Sequence, residues 1–414
     1  MDIVHERVCG MDISKRDVKV AVRLPGKRKG TFSTEVTTWG ATAGQVLDLT
    51  GYLGKIGVTS VVMEATSDYW KPFYYVMEES LPVMLVNAKS ARNIPGRKSD
   101  VSDAAWLAQL GAHGLLRASF VPPPAIRELR DLTRARTIAV RDQAKQKQRL
   151  EKFLESSGIK LSSVVSELLG VSGRSMLEAL ARGERDPEVL ADLAHKRLRN
   201  KIPELVQALQ GRFSEHHEFM VSQYLAQIDR HQEMITQLTG RIEHVIQRED
   251  FGGARDLLLT VPGVATRVAD VIIAETGANM TVFPSAGHLA SWAGVCPGMN
   301  ESAGIVRSSH VTHGNAYLKG ALGIAAMSAI RGKNNYLGAK YRRLAGRRGA
   351  MRALVAVQHS MLSAMWHMLQ TGEIYNDPGQ DYFTRLKPEK ARHKAIRQLE
   401  QLGYQVSITP QKPD

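Results

Sequence analysis

The sequence has few of the features that characterise secreted, zinc-binding or membrane proteins. Its 414 residues include two cysteines, Cys9 and Cys296, which cannot by themselves form a disulfide framework or a zinc site. No apolar run approaches the ~20 residues that a membrane-spanning helix needs, and the N-terminus lacks the apolar core of a signal peptide. These absences predict a cytoplasmic protein with no membrane partner. The hydrophobic fraction of 43% can fill cores, so a wholly disordered chain is excluded.

Acidic residues are missing from one long stretch of the chain. Between Ser302 and Gly372 there is no Asp or Glu, although the whole sequence has 41 of them against 55 Lys and Arg. A solvated surface normally mixes both signs, so a stretch of one sign predicts contact with nucleic-acid phosphates. A set of basic helices without a ligand is the alternative. Ten residues supply most of the net charge of +14: Arg307, Lys319, Arg331, Lys333, Lys340, Arg342, Arg343, Arg347, Arg348 and Arg352.

The apolar pattern divides the chain into four segments and predicts an α/β domain followed by all-α structure. Residues 1–120 show strand patterns at 7–11, 18–22, 31–36, 59–63 and 82–86, with helices at 45–56 and 100–110. This order predicts a ribonuclease H-like domain. Three prolines at 122–124 mark a boundary, because consecutive prolines cannot continue a helix. We expect a helical coiled-coil linker at 121–250, a mainly helical domain at 251–378 and a peripheral tail at 379–414.

A seven-residue repeat runs through the helical linker. Val221, Ile228, Ile235 and Ile242 recur at heptad spacing, and apolar residues follow each three positions later except at His231. This spacing predicts a heptad seam about four repeats long. An antiparallel hairpin within the chain and a coiled coil between subunits would both use such a seam. An ordinary amphipathic helix packed on a core is the third interpretation.

Four carboxylates form the first candidate site. Asp12 follows an apolar segment at the predicted end of the first strand, and Glu64 ends the apolar Val61–Met63. Asp100 and Asp103 are three residues apart, so on a helix they share one face. Strand ends in an α/β sheet converge on a crevice, and clustered carboxylates there favour divalent ions such as Mg²⁺. Capping of a turn by Asp12 and placement of Asp103 at a helix N-terminus are the structural alternatives.

These acids lie in motifs that resemble one transposase family. The segments Gly10-Met-Asp12-Ile-Ser-Lys15, Met63-Glu-Ala-Thr66 and Lys98-Ser-Asp100-Val-Ser-Asp103-Ala104 are similar to the DEDD motifs of the insertion-sequence one-ten transposases and the Piv-type DNA invertases. The resemblance implies a RuvC-like catalytic domain in which Asp12, Glu64, Asp100 and Asp103 hold Mg²⁺.

The C-terminal half carries a second set of motifs in the order found in that family. Thr260-Val-Pro-Gly263-Val-Ala265 resembles a helix-hairpin-helix turn, in which backbone N–H groups near Gly263 would face a phosphate at the start of a helix. Asn300-Glu-Ser302-Ala-Gly304 follows, and then His313-Gly-Asn315. The resemblance implies that Ser302 is the nucleophile, although an isolated loop serine would not indicate this by itself.

The resemblance implies a DNA recombinase of a prokaryotic mobile element, nucleoid-associated in the cytoplasm. It implies a covalent serine–DNA intermediate, a composite site in a dimer or tetramer, and a structured bridge RNA that pairs with donor and target DNA. A metal-dependent nuclease or Holliday-junction resolvase without serine chemistry is one alternative. A non-enzymatic RNA-binding protein is another. A sugar-kinase-like ATPase is disfavoured, because no later Gly-rich adenosine motif is found.

Overall fold

A computed structural model describes residues 3–28, 30–65, 67–87, 94, 102–298, 300–308 and 310–408, with the backbone alone at 300–302, 306 and 307. The chain divides into two compact units, Met1–Val121 and Pro122–Asp414. The division falls at the first of the three consecutive prolines. Each unit is built around its own buried residues.

The first unit contains a mixed sheet of five strands: β1 (Val8–Ile13), β2 (Asp17–Pro25), β3 (Phe32–Gly40), β4 (Ser60–Glu64) and β5 (Val83–Val86). Their order across the sheet is β3-β2-β1-β4-β5. β1 pairs antiparallel with β2 and parallel with β4, while β2–β3 is antiparallel and β4–β5 is parallel. This order confirms the predicted ribonuclease H-like fold. Alternation along β2, where Val18, Val20 and Val22 are buried, places one face of the strand in the core.

Helices cover both faces of this sheet. α1 (Ala43–Lys55) and α2 (Trp70–Met77) pack on the face that carries Met11 and Met63. α3 (Asp103–Ala112) packs on the opposite face, where Gly10 lies. A Cβ added at Gly10 would lie 2.1 Å from the Ala104 carbonyl oxygen, so only glycine allows α3 to approach β1 this closely.

The second unit begins with two long antiparallel helices. α4 (Pro124–Ser157) and α8 (Glu215–Arg248) pack along their lengths, and Arg136 Nε donates to Thr239 Oγ1 at 2.8 Å. The heptad residues Val221, Ile228, Ile235 and Ile242 are all buried within the chain. The seam is therefore the intrachain antiparallel pairing, the first of the three predicted alternatives. Three short α-helices and two 3₁₀ helices connect the pair. The α-helices are α5 (Val171–Ala181), α6 (Pro187–Asp192) and α7 (Ile202–Leu209), and the 3₁₀ helices are Leu161–Ser163 and Lys196–Lys201.

The rest of the second unit is mainly helical. α12 (Ala316–Ala329) and α14 (Ala350–Thr371) contribute many of its buried residues, including Leu318, Leu322, Met361 and Met365. Among the described residues, none of the helices combines the length and the hydrophobicity that a membrane span requires. The helices are α9 (Gly252–Leu259), α10 (Thr266–Thr276), α11 (Ala286–Ala293), α12 (Ala316–Ala329), α13 (Tyr336–Arg348), α14 (Ala350–Thr371), α15 (Tyr382–Leu386) and α16 (Pro388–Gln401), and the hairpin strands are β6 (Asn300–Ser302) and β7 (Ile305–Ser308).

Candidate active site

Two of the predicted carboxylates lie on neighbouring parallel strands. Met11 on β1 is paired with Met63 on β4, so Asp12 and Glu64 follow at equivalent positions. In-register residues of parallel strands point to the same face, and this face is opposite to that of the buried methionines. The first strand is longer than the predicted 7–11, because β1 continues through Asp12 to Ile13 and Asp12 pairs with Lys19 on β2.

The third carboxylate begins the helix on that face. Asp103 is the first residue of α3, and the Ser102 hydroxyl caps the helix by accepting a hydrogen bond from Ala105 N at 3.2 Å. α3 runs antiparallel to β1, since Ala104 lies over Gly10 while Gly111 lies over Val8. Asp103 is therefore at the same end of the sheet as Asp12 and Glu64.

The fourth carboxylate, Asp100, lies outside the described residues. The helix predicted from residue 100 in fact begins at Asp103, because Ser102 has the extended ψ of 149° of an N-cap residue. The prediction that Asp100 and Asp103 share one face of a helix falls on a residue outside the described part of the chain and stays a prediction. Asp103 also occupies the first turn, where a negative charge is favoured by the helix dipole.

The donor chemistry of these acids fits a hard divalent cation. Carboxylate oxygens are the ligands that Mg²⁺ prefers, and Asp12 makes no ion pair in the described part of the chain. Among the described residues, no group of three or more His, Cys, Asp or Glu is arranged closely enough to hold a metal. The three carboxylates that share one face and one end of the sheet are therefore candidate ligands and not a formed metal site: Asp12, Glu64 and Asp103.

Ser302 is the last residue of strand β6. Its Cα is paired with Ile305 of β7, and the turn between them consists of Ala303 and Gly304. Both turn residues have positive φ, +52° at Ala303 and +76° at Gly304, and both are exposed. Left-handed backbone is uncommon for a residue other than Gly, Asn or Asp. The Ser302 side chain lies outside the described part, so its role stays a prediction.

Most of the ten basic residues are exposed on the second unit. None of the nine whose side chains are described forms an ion pair with a carboxylate in the described part of the chain. Unpaired surface cations are available to phosphates. Arg343 is partly covered, since its guanidinium carbon lies 4.4 Å from the centroid of the Phe383 ring in the tail. The exposed members are Arg331, Lys333, Arg342, Arg343, Arg347, Arg348 and Arg352.

Two basic residues of the predicted set are engaged within the fold. Lys340 is half-buried, and its Nζ donates to the Ser360 hydroxyl. Desolvation lowers the pKa of Lys340, so the structure gives this side chain a packing role rather than that of a free surface cation. Lys319 is also half-buried, and its Nζ donates to the carbonyl oxygens of Thr312 and His313 at 3.2 and 3.4 Å.

Comparison with known proteins identifies the family. Residues 9–158 match the profile of the IS110 DEDD transposase domain, and residues 255–342 match that of the IS116/IS110/IS902 transposase family, together more than half of the chain. The chain belongs to the IS110 transposase family. It is 30% identical over 120 residues to the insertion element IS110 uncharacterized 43.6 kDa protein of Streptomyces coelicolor. The aligned segment spans 29% of each chain, so this relative covers only part of the sequence.

The IS110 match in the first unit includes the described site. Asp12, Glu64 and Asp103 all lie inside the segment that matches the DEDD domain. The family implies a divalent metal, consistent with the carboxylate donors at this end of the sheet. The second matching segment contains the β6–β7 hairpin and most of the basic stretch.

A buried ionic network in the second unit was not predicted from the sequence. Glu275 on α10 is fully buried, and Arg134 of α4 donates to both of its oxygens at 2.7 and 2.8 Å. Arg130 Nε lies 3.3 Å from Glu275 Oε2, and Asn315 Nδ2 donates to the same oxygen at 2.7 Å. Asn315 also caps α12 through its Oδ1. Glu275, which lies on α10, therefore connects this helix to α4 and to Asn315, the residue that follows His313-Gly314.

Only one member of this network has a sequence signal. Asn315 stands directly before the Ala-rich helix, where an N-cap is expected. The bidentate pair joins residues 141 positions apart, and no local pattern predicts such a partner.

Gly263 has a packing role in the structure. Its φ is +85°, and an added Cβ would lie 2.2 Å from the Ala325 carbonyl oxygen on α12. The close approach of the Pro262-Gly263 turn to α12 therefore requires glycine. α10 begins at Thr266, as the predicted helix after the turn suggests. The predicted phosphate contact near Gly263 stays a prediction.

Proposed function

We propose that this protein cleaves and exchanges DNA strands of a mobile element, using the strand-end carboxylates with Mg²⁺ and Ser302 as nucleophile. The observation that carries the proposal is the placement of Asp12 and Glu64 on adjacent parallel strands, with Asp103 starting the helix on the same face. A divalent ion at such a site stabilises the charge that develops on phosphate oxygens.

The carboxylates and the serine have different tasks in this reaction. The Ser302 Oγ attacks phosphorus, a P–O bond of the DNA backbone breaks, and the leaving oxygen takes up a proton as a hydroxyl. Attack by the hydroxyl of another strand then reverses the step, releases the serine and joins the new ends, so no external energy source is needed. The left-handed backbone at Ala303, next to the nucleophile, supports a functional turn, since such conformations concentrate at active sites.

The exposed cations of the basic stretch support a nucleic-acid interface. We propose that they hold DNA and a structured bridge RNA by their backbones, while base pairing reads sequence. The RNA is tested by purifying the protein from its host and sequencing the nucleic acid that accompanies it. A discrete structured RNA is expected, and recovery of only random fragments would contradict guidance.

We further propose a dimer or tetramer that assembles a composite site, with the acids and the serine supplied by different subunits. Mixing two inactive variants tests this arrangement. Asp12→Asn and Ser302→Ala chains should restore strand exchange when co-assembled, because each supplies the group that the other lacks. No restoration in a verified mixed oligomer would contradict a composite site.

The carboxylate assignment is tested by a matched pair of substitutions. Asp12→Asn should abolish Mg²⁺-dependent strand cleavage on labelled donor DNA while leaving DNA binding intact. Asp48→Asn makes the same change on the exposed surface of α1 and should leave cleavage unaltered. Equal cleavage by the two variants would contradict the assignment.

A metal-dependent nuclease or junction resolvase would need the acids and not the serine. Ser302→Ala separates the two functions, because a serine recombinase should lose cleavage, whereas a nuclease of this kind would cleave at the same rate. A non-enzymatic RNA-binding protein predicts instead that Asp12→Ala changes no activity.

A further inference from the structure

A small cavity lies in the first unit, on the face of the sheet that α3 covers. It has a volume of about 270 Å³ and is lined by Arg23, Thr34, Ala105 and Gln109. Arg23 on β2 is paired with Thr34 on β3, so both side chains point to the same face. Ala105 and Gln109 are one turn apart on α3. The lining therefore offers a guanidinium, a hydroxyl and an amide, and no carboxylate.

The Arg23 guanidinium is only partly satisfied by the fold. Its Nη1 is buried without a hydrogen-bond partner, and its carbon lies 3.7 Å from the centroid of the Phe32 ring. Arg23 makes no ion pair in the part of the chain that the structure describes. Burial lowers the pKa of Arg23, because desolvation disfavours the charged form. A partly buried cation without a counter-charge loses some of its hydration, and an anion in the cavity would offset that loss.

The surroundings of the cavity favour a polyanion over an isolated small ion. The turn between β2 and β3 lies directly beyond the Pro25–Phe32 pair and carries the exposed Lys27 and Arg28. β2 ends two residues after Arg23, so a nucleic-acid strand that crosses the turn would bring its phosphates near three cations, Arg23, Lys27 and Arg28. Phosphate contacts of this kind position a nucleic acid without reading its sequence.

We propose that the cavity binds a backbone phosphate of a nucleic-acid strand that crosses the β2–β3 turn. Arg23 supplies the positive charge, and the Thr34 hydroxyl and Gln109 amide donate hydrogen bonds. Arg23 pairs with Val8, four residues before Asp12 on β1, so this contact lies roughly 13 Å along the strand from the carboxylates. It is a positioning contact outside the catalytic centre. The inference depends on the proposed function only for the choice of nucleic acid as the source of the phosphate.

Binding of labelled duplex DNA and labelled single-stranded RNA to the full chain, in EDTA over a range of salt concentrations, tests the proposal. Arg23→Gln should weaken binding of one or both probes about tenfold, the factor for a lost charge-assisted hydrogen bond. A plot of log binding constant against log salt concentration should also become shallower, its negative slope decreasing in magnitude by roughly 0.7 to 0.9 for the one lost phosphate contact. Arg23→Lys keeps the positive charge and should leave the salt dependence unchanged. Gln109→Glu adds a negative charge at the exposed rim of the cavity and should weaken binding as Arg23→Gln does. Lys55→Gln removes one exposed charge at the end of α1, on the other face, and should change neither quantity.

Three results would overturn the proposal. One is an affinity and slope unaltered by both Arg23→Gln and Gln109→Glu. The second is an equal loss with Lys55→Gln, which would indicate a general charge effect. The third uses inorganic phosphate as the probe: thermal stabilisation that needs Arg23, with nucleic-acid binding unchanged, would assign the cavity to a small phosphate. Circular dichroism of each variant verifies folding. If Arg23→Gln does not fold, Gln109→Glu tests the proposal in its place. Since no cleavage is measured, failure of the proposed reaction would leave this result standing.

Discussion

The ionic network at Glu275 makes a quantitative prediction about the stability of the second unit. The Glu275 side chain is fully buried, while the side chains of Arg130 and Arg134 are 14% and 35% exposed. Glu275→Gln keeps the size of the side chain but removes the charge that faces two guanidinium groups. Breaking a buried pair costs about 3–5 kcal/mol, because the remaining charge is left uncompensated. Arg134 retains some contact with water, so we expect a loss near the lower limit, about 3 kcal/mol.

Urea unfolding followed by circular dichroism measures this loss as a lower midpoint of the transition. The control is Glu178→Gln, which removes a carboxylate paired with Arg174 at 2.6 Å but 40% exposed. An exposed pair of this kind contributes about 0.2–1 kcal/mol. Replacing both partners by apolar residues, as in Arg134→Met with Glu275→Leu, should recover much of the lost stability. A Glu275→Gln protein within about 1 kcal/mol of the original would refute the reasoning, since exposed pairs alone account for that much.

Three other predictions follow from the packing and the charge. Gly10→Ala should displace α3, lower the free energy of unfolding by about 1–3 kcal/mol and reduce cleavage activity. The control is Gly51→Ala, which has open space around the added Cβ and should be neutral or stabilising in thermal unfolding. Ile235→Ala should lower the free energy of unfolding by about 2–4 kcal/mol without changing the mass in sedimentation, because its seam lies within the chain, and half-exposed Met234→Ala is the control. The third prediction concerns four arginines of α13, Arg342, Arg343, Arg347 and Arg348. Replacing all four by Ala should weaken nucleic-acid binding and make the binding constant depend less steeply on salt concentration. An unchanged dependence on salt would show that these arginines contact no phosphate.

The parts of the fold that the sequence predicts are those set by local patterns. Alternation of buried valines in β2 and the apolar run before Glu64 predict the strands, and these bring Asp12 and Glu64 to adjacent strand ends. The predicted bounds are wrong where a neighbouring strand in the sheet determines how far an element extends. The strand that the sequence predicts to end at residue 11 continues through Asp12, because β2 supplies a pairing partner at Lys19.

Long-range contacts explain the other differences. Lys340 has the sequence character of a phosphate-binding lysine, but its position against Ser360 depends on how α13 packs on α14. The Arg134–Glu275 pair and the orphan nitrogen of Arg23 also depend on tertiary structure, and a one-dimensional pattern contains no information on either. The heptad alternatives are distinguished only when α4 is seen opposite α8.

The central claim is tested most directly by searching for a covalent serine–DNA adduct. The protein purified from its host, with its accompanying RNA, would be incubated with labelled donor DNA and Mg²⁺, digested with protease and analysed by mass spectrometry. The account predicts a nucleotide attached to the peptide that contains Ser302, absent from the Asp12→Asn protein and present in the Asp48→Asn control. Strand cleavage at full rate with no adduct on that peptide would contradict it.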